Sequence, residues 1–249
     1  SMGMFCSTDE LGLTPEGTAT GIMILDEGTP IGVDICEVLG LNEDVVEFEI
    51  TSNRPDCFSI IGLARETAAT FDREFHIPDP SKYPTTADNA NDYAKVVIED
   101  YELCPRYLGK VVKNVKIGPS PEWMQRRLNA CGIRAINNIV DITNYVMLEY
   151  GQPMHAYDLD NVKGHTITVR RGRAGETLET LDDQPHELNH ELIVISDAER
   201  AIGVAGVMGG ANSEVTENTV NILFEAATFK ACTVRRGAKA LGMRTDASA

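Results

Sequence analysis

The chain has 249 residues, a hydrophobic fraction of 43%, and a formal net charge of −16 from 22 Lys and Arg against 38 Asp and Glu. That length accommodates one large domain or two smaller ones. The acidity argues against autonomous nucleic-acid binding, which leaves a basic footprint, so any RNA contact has to be local or supplied by partners.

Residues 4–75 read as a small first unit. Glu47-Phe48-Glu49-Ile50-Thr51 alternates charged and other residues, as a half-buried strand would. Asn53-Arg54-Pro55-Asp56 then opens a helix, because Pro55 suits a first turn whose N–H would be unpaired anyway. Cys57, Ile60, Ile61, Ala64, Ala68 and Phe71 follow at helical spacing and are expected to pack in a core. Residues 76–94 read as a linker: the stretch around them is rich in proline and polar residues and has no periodicity, and His76 is expected to be exposed there.

Residues 95–249 read as a second, larger unit. Strands are expected at Lys95–Ile98, Arg106–Val112, Thr166–Val169, Leu192–Ile195 and Val220–Phe224. Ser120-Pro121-Glu122 starts a helix with Trp123, Leu128 and Cys131 on one face and Gly132 as its stop. A second helix covers about 138 to 150, and a third runs from near Thr228 to near Gly242. Strands and helices mix without regular alternation, which predicts an α+β fold with a small mixed unit joined by a linker to a larger one.

Several motifs suggest chemistry. His186-Glu187-Leu188-Asn189-His190 fits the zinc-protease pattern, but that chemistry needs a continuous helix. Pro185 bars a helix from entering, and a strand follows, so a hairpin without metal is expected. Gly203, Gly206, Gly209 and Gly210 do not follow the dinucleotide-binding spacing. They predict a turn needing positive φ, or close approach of backbone N–H groups to a ligand, or both. Glu225 ends an apolar run and either reaches solvent or faces a pocket, where it would need a donor. His155 follows the turn Gly151-Gln152-Pro153 and is either a structural hydrogen-bonder or an acid–base group. Arg126 with Arg127, Arg170 with Arg171 and Arg173, and Arg235 with Arg236 and Lys239 are the local cation clusters. The first two are read as solvated charges.

Six cysteines without a C-x-x-C pair argue against a zinc ribbon or a disulfide scaffold, and fit a reducing cytoplasm. No apolar run approaches the roughly 18 residues of a membrane span. The abrupt start at Met4 and the stop at Ala249 suggest a piece of a longer protein.

Four segments occur in a telling order: Asn144 to Asp158, the glycine run 203–210, Asn221 to Phe229, and Arg244-Thr245-Asp246-Ala247-Ser248. Together they resemble the editing region of the bacterial phenylalanyl-tRNA synthetase beta chain. Segment 4–75 is similar to the second half of that chain's first domain, and 95–249 is similar to its B3/B4 domain. The resemblance implies hydrolysis of tyrosine misattached to phenylalanine tRNA. It implies a site with His155, Asn144 and Thr245 around the reacting ester, and Glu225, Gly206, Ala226, Ala247 and Pro153 around the amino acid. Glu225 would accept from the tyrosine hydroxyl, and the Gly206 N–H would donate to the same oxygen. His155 and Asn144 would hold the ester and its attacking water.

The implied partners are the alpha chain of a heterotetramer and phenylalanine tRNA. ATP and magnesium would be bound elsewhere in the whole enzyme, leaving this piece with no cofactor. The family's sequence continues past the last motif, so a missing final element is expected after Ala249. The alternative from another class is a non-catalytic module that binds RNA or subunits through a vestigial pocket. A metalloprotease is the distant third reading.

Overall fold

The computed structural model describes residues 4–13, 21–25, 27–83, 85–243, 245 and 248, and divides after Val46. The part before the division holds one short helix, α1 (Ile35–Val38), capped by the Asp34 carboxylate accepting from the Cys36 N–H at 2.8 Å. None of its described residues is buried.

The part after the division begins without the strand expected at 47–51. The backbone there pairs with no described strand, and Phe48 is exposed, so the alternating pattern has no sheet to complete. Pro55 does open a helical turn, but a 3-10 turn (Pro55–Phe58). The longer helix α2 (Ile60–Thr70) starts afresh at Ser59, whose hydroxyl accepts from the Gly62 N–H at 3.0 Å. Only Cys57 and Ala68 of the expected core positions are buried, while Ile60 and Phe71 are exposed. His76 is exposed, as expected.

Among the described residues, ten strands and three further α-helices follow. The strands are β1 (Lys95–Ile98), β2 (Arg106–Val112), β3 (Met154–Asp158), β4 (Thr166–Arg171), β5 (Glu176–Glu179), β6 (Pro185–Leu188), β7 (Ile193–Ser196), β8 (Ala201–Val204), β9 (Met208–Gly209) and β10 (Ile222–Thr228). The helices are α3 (Glu122–Ala130), α4 (Asn138–Tyr150) and α5 (Ala231–Ala240). The strands form a five-stranded sheet in the order β1-β4-β7-β8-β9, a three-stranded sheet β2-β10-β3, and the hairpin β5-β6. The fold is α+β, as the sequence predicts.

Alternation along β10 divides the core. Ile222 and Phe224 pack with Ala156 of β3 and Ile139 of α4 on one face. Leu223 points the other way, and with Tyr157 it packs against Ile167, Val169, Ile193, Ile195 and Ile202 of the five-stranded sheet. β7 is buried along its length because it has apolar partners on both sides. Its Val194, with Ala201 and Val204 of β8, meets Leu178 and Leu188 of the hairpin and Ala238 of α5.

Helix α4 begins where Asn137 places its side-chain oxygen 3.0 Å from both the Ile139 and Val140 N–H groups. It ends at Gly151, whose φ of 73° suits a left-handed C-terminal residue. In α3 the buried residues are Met124 and Leu128. Trp123 and Cys131 are exposed, against expectation. Trp123 lies edge-on to Tyr145 of α4, so it packs on the surface of the helix pair and not beneath it.

Candidate functional site: a cavity between two sheets

His155 lies in β3, two residues past the end of the turn 151–153 that the sequence places before it, and antiparallel pairing with β10 draws it into the sheet. In that register His155 stands directly opposite Glu225. Gly109 of β2 stands opposite Glu225 on its other side. Tyr157 opposes Leu223 and Tyr107 opposes Ala227, two positions to either side of Glu225. Period-two alternation therefore sets Tyr107, Glu225, His155 and Tyr157 on one face. This face looks toward the five-stranded sheet, away from α4.

A cavity of about 290 Å³ opens at this face. Pro153 and His155 come from β3, Glu225 from β10, and Gly206 and Gly209 from the turn region around β9. Phe229 and Val234 supply an apolar wall. Glu225 is buried, at 7% exposure. Its Oε2 accepts from the Tyr107 hydroxyl at 2.7 Å and the Tyr157 hydroxyl at 2.6 Å. Oε1 takes no hydrogen bond from the described residues, and it is not sealed from solvent. Burial raises the Glu225 pKa, while the two phenols pull it down. Burial and the Glu225 charge hold both phenols well above their ordinary pKa, so they remain donors.

The His155 ring sits edge-on to Tyr157, with centroids 4.5 Å apart. Its Nε2 is sealed and has no partner among the described residues, close against Gly209. Nδ1 is thereby the nitrogen left for the cavity. Burial lowers its pKa to about 4, so the ring is neutral at physiological pH.

Of the other residues that the sequence pointed to, Gly206 is a positive-φ turn residue at the cavity wall, with φ of 67°. Asn144 does not line the cavity. It belongs to α4, which covers the opposite face of the three-stranded sheet. Ala226 is likewise not at the wall, because alternation turns it away from the Glu225 face. The Thr245 hydroxyl donates to the Val207 carbonyl at 2.9 Å and tethers the final segment near the cavity without lining it. Ser248 does line it. Ala247 lies outside the described residues.

Sequence reasoning missed Tyr107 and the part played by Tyr157, and it marked Gly209 for a turn or a ligand without its contact to His155. The signal of the two tyrosines is their offset from Glu225, visible only once the strands are paired.

The zinc-like motif forms no helix. His186 lies in β6, and His190 lies in the turn after it, where its carbonyl accepts from Arg171 at 3.1 Å. Two histidines so placed share no helical face. Arg170 is buried against Glu176, Arg126 pairs with Glu122 on the surface, and Arg127 donates to the Tyr145 hydroxyl at 2.7 Å.

Residues 103–249 match the model of the B3/4 domain family. The chain belongs to that family. Its B3/4 domain thus takes in β2 and every cavity residue named above. Over its whole length the chain is 49% identical to the phenylalanine–tRNA ligase beta subunit of Clostridium acetobutylicum across 248 residues. It is 50% identical to that of Clostridium tetani, also across 248 residues. It covers 31% of each of those proteins, so the chain spans about a third of the length of the curated relatives it matches. A crystal structure of an N-terminal fragment of the phenylalanyl-tRNA synthetase beta subunit from Pyrococcus horikoshii aligns with a TM-score of 0.44 and 16% identity, covering 84% of this chain and 68% of that one. Among the described residues, no helix is long and apolar enough to cross a membrane.

Proposed function

We propose that the B3/4 cavity is a proofreading site that hydrolyses tyrosine esterified to phenylalanine tRNA, working as part of a phenylalanine–tRNA ligase beta subunit. The observation that carries this reading is the Glu225 carboxylate, buried at the cavity wall with one oxygen filled and one open. A phenol suits that oxygen. Phenylalanine in the same place would strip water from Oε1 and return no donor, which costs about 1–3 kcal/mol or more for a charged group. A site that selects phenylalanine cannot strongly reject an analogue that merely adds a hydroxyl, by a factor of roughly 10² in a comparable synthetase. A second site reading the hydroxyl makes the complementary choice.

In the reaction, water adds to the ester carbonyl, the bond to the ribose oxygen breaks, and that oxygen leaves with a proton. His155 orients the ester or the water through Nδ1 and is not an obligatory base. Its pKa of about 4 makes it a weak proton acceptor at pH 7. Positioning and polar stabilisation then supply the rate. The Gly206 N–H is assigned to the substrate hydroxyl and Pro153 to the cavity wall, while Thr245 acts by tethering.

The exposed Arg235, Arg236 and Lys239 of α5 offer local cations to tRNA phosphates near the cavity edge formed by Val234. The alpha chain is the expected partner for aminoacylation, and the cytoplasm is the expected location.

The test is deacylation of phenylalanine tRNA carrying tyrosine or phenylalanine by the beta subunit assembled with its alpha chain. Glu225→Ala should abolish the preference for the tyrosyl ester while charging with phenylalanine persists. Undiminished tyrosyl-ester hydrolysis in that variant would remove the assignment.

A further inference from the structure

The donors around Glu225 are distributed unevenly. A carboxylate has two oxygens and room for about four hydrogen bonds. A carboxylate serving only the core would be expected to have both oxygens engaged. Here two phenols reach the same oxygen from opposite neighbouring strands, Tyr107 from β2 at 2.7 Å and Tyr157 from β3 at 2.6 Å. Gly109, directly opposite Glu225, carries no side chain that could reach Oε1. Each phenol is set by register, two positions diagonal to Glu225 on a neighbouring strand. The rings are anchored. Tyr157 is 2% exposed within the main core, and Tyr107 packs against the same core.

We infer that Tyr107 and Tyr157 are positioning residues for substrate selection: together they occupy Oε2 of Glu225, fix its plane, and reserve Oε1 as the single acceptor for a hydroxyl-bearing aromatic amino acid. This rests on the proofreading reading above and assigns the chain's own residues that make Glu225 selective. A Glu225 without them could rotate, or take up a proton and lose its preference for a donor.

Among the described residues, the groups that face Glu225 are Tyr107 on β2, His155 and Tyr157 on β3, and Cys104 just before β2, whose thiol is pushed up to about 11 by burial and by the Glu225 charge. The two phenols are the groups that favour the ionised carboxylate. Removing either hydroxyl therefore moves the Glu225 titration upward.

The experiment titrates the 249-residue chain with L-tyrosine and with L-phenylalanine by calorimetry or NMR, from about pH 5 to about pH 8.5. The wild type, Tyr107→Phe and Tyr157→Phe are compared, and thermal denaturation checks the folding of each. The wild type should prefer tyrosine. Each variant should lose about tenfold of the tyrosine-over-phenylalanine affinity ratio at pH 7, the scale of one hydrogen bond to a charged group. The pH midpoint of that ratio should rise in the variants, and part of the preference should return at the alkaline end. A purely structural role would weaken both ligands equally and leave the midpoint in place. Because Tyr107 is only half-buried, Tyr107→Phe provides the test even if Tyr157→Phe unfolds. A wild type with no preference overturns the proofreading reading and this inference with it. A wild-type preference that survives in Tyr107→Phe, with an unchanged midpoint, overturns this inference alone.

Discussion

Replacing Gly209 with alanine would place a methyl group 2.4 Å from His155 Cε1 and 2.5 Å from His155 Nε2. The backbone itself tolerates alanine, since Gly209 is not among the positive-φ residues. The whole effect is therefore a collision with one ring. That ring is packed edge-on to Tyr157 and can yield only toward the cavity it lines. Overpacking of this kind costs about 1–3 kcal/mol. For a protein of this size each kcal/mol corresponds to roughly 2–4 °C in the denaturation midpoint. The informative assay is a double-mutant cycle in urea or by heating, with Gly209→Ala, His155→Ala and the pair. His155→Ala alone is destabilising through the space it leaves. In its background the alanine at 209 should cost close to nothing, because the methyl then fills part of that space. A coupling energy of about 1–3 kcal/mol is expected, against errors of a few tenths for independent sites. Additive effects would refute the packing of His155 against Gly209, and with it the argument that Nδ1 is the nitrogen left for the cavity.

Three further outcomes can be measured. His155 is held neutral in the folded chain, with a pKa of about 4 against an unfolded value near 6.5, so the unfolded state binds more protons between these values. Stability from this group is present above about pH 6.5 and is lost as pH falls, by up to about 3 kcal/mol near pH 4. His155→Ala should flatten that part of the stability profile, and tyrosyl-ester hydrolysis should show no step between about pH 5.5 and 8.5 that depends on His155. Elemental analysis of chelator-free protein should find no stoichiometric zinc, because His186 and His190 share no helical face; one tightly held zinc per chain, lost in His190→Ala, would reverse this reading. Asn137→Ala should lower stability by about 1 kcal/mol through loss of the two bonds that start α4, as read by denaturation, with the cavity residues left in place.

How much of this was legible in the sequence depended on whether the signal was local. Helix α4 carries its own stop at Gly151, which could be read directly, whereas its cap at Asn137 emerged only in the structure. β1, β2 and β10 were found from apolar runs. β8 was not, since Ala201-Ile202-Gly203-Val204 is a short, fully buried stretch with small residues and no alternation to detect. β9 has only two residues. The segment 47–51 alternates well and still forms no strand, because alternation describes a face and a strand also needs a partner. The same limit governs the site. Glu225, His155, Gly206 and Pro153 come together at one cavity, whereas Asn144 belongs to a helix on the far side of the sheet. Asn144 is eleven positions from His155 in sequence, but β3 and α4 are different layers.

Burial, on top of the pairing, explains why Glu225 and His155 do not neutralise each other. Glu225 and His155 are direct neighbours across β10 and β3, on one face, yet no hydrogen bond joins them. If His155 were cationic it would be the nearest competitor for the open carboxylate oxygen, and a salt bridge would close the cavity to a ligand hydroxyl. Burial prevents this by favouring the neutral ring. The same burial works against the ionised Glu225, and there the two phenols oppose it. One environment therefore acts in opposite directions on the two residues' charges. The tyrosines offset part of this on one side only, because their hydroxyls reach Glu225 and not His155. What remains is a carboxylate with one oxygen open beside an uncharged ring, with no ion pair between them for a ligand to displace.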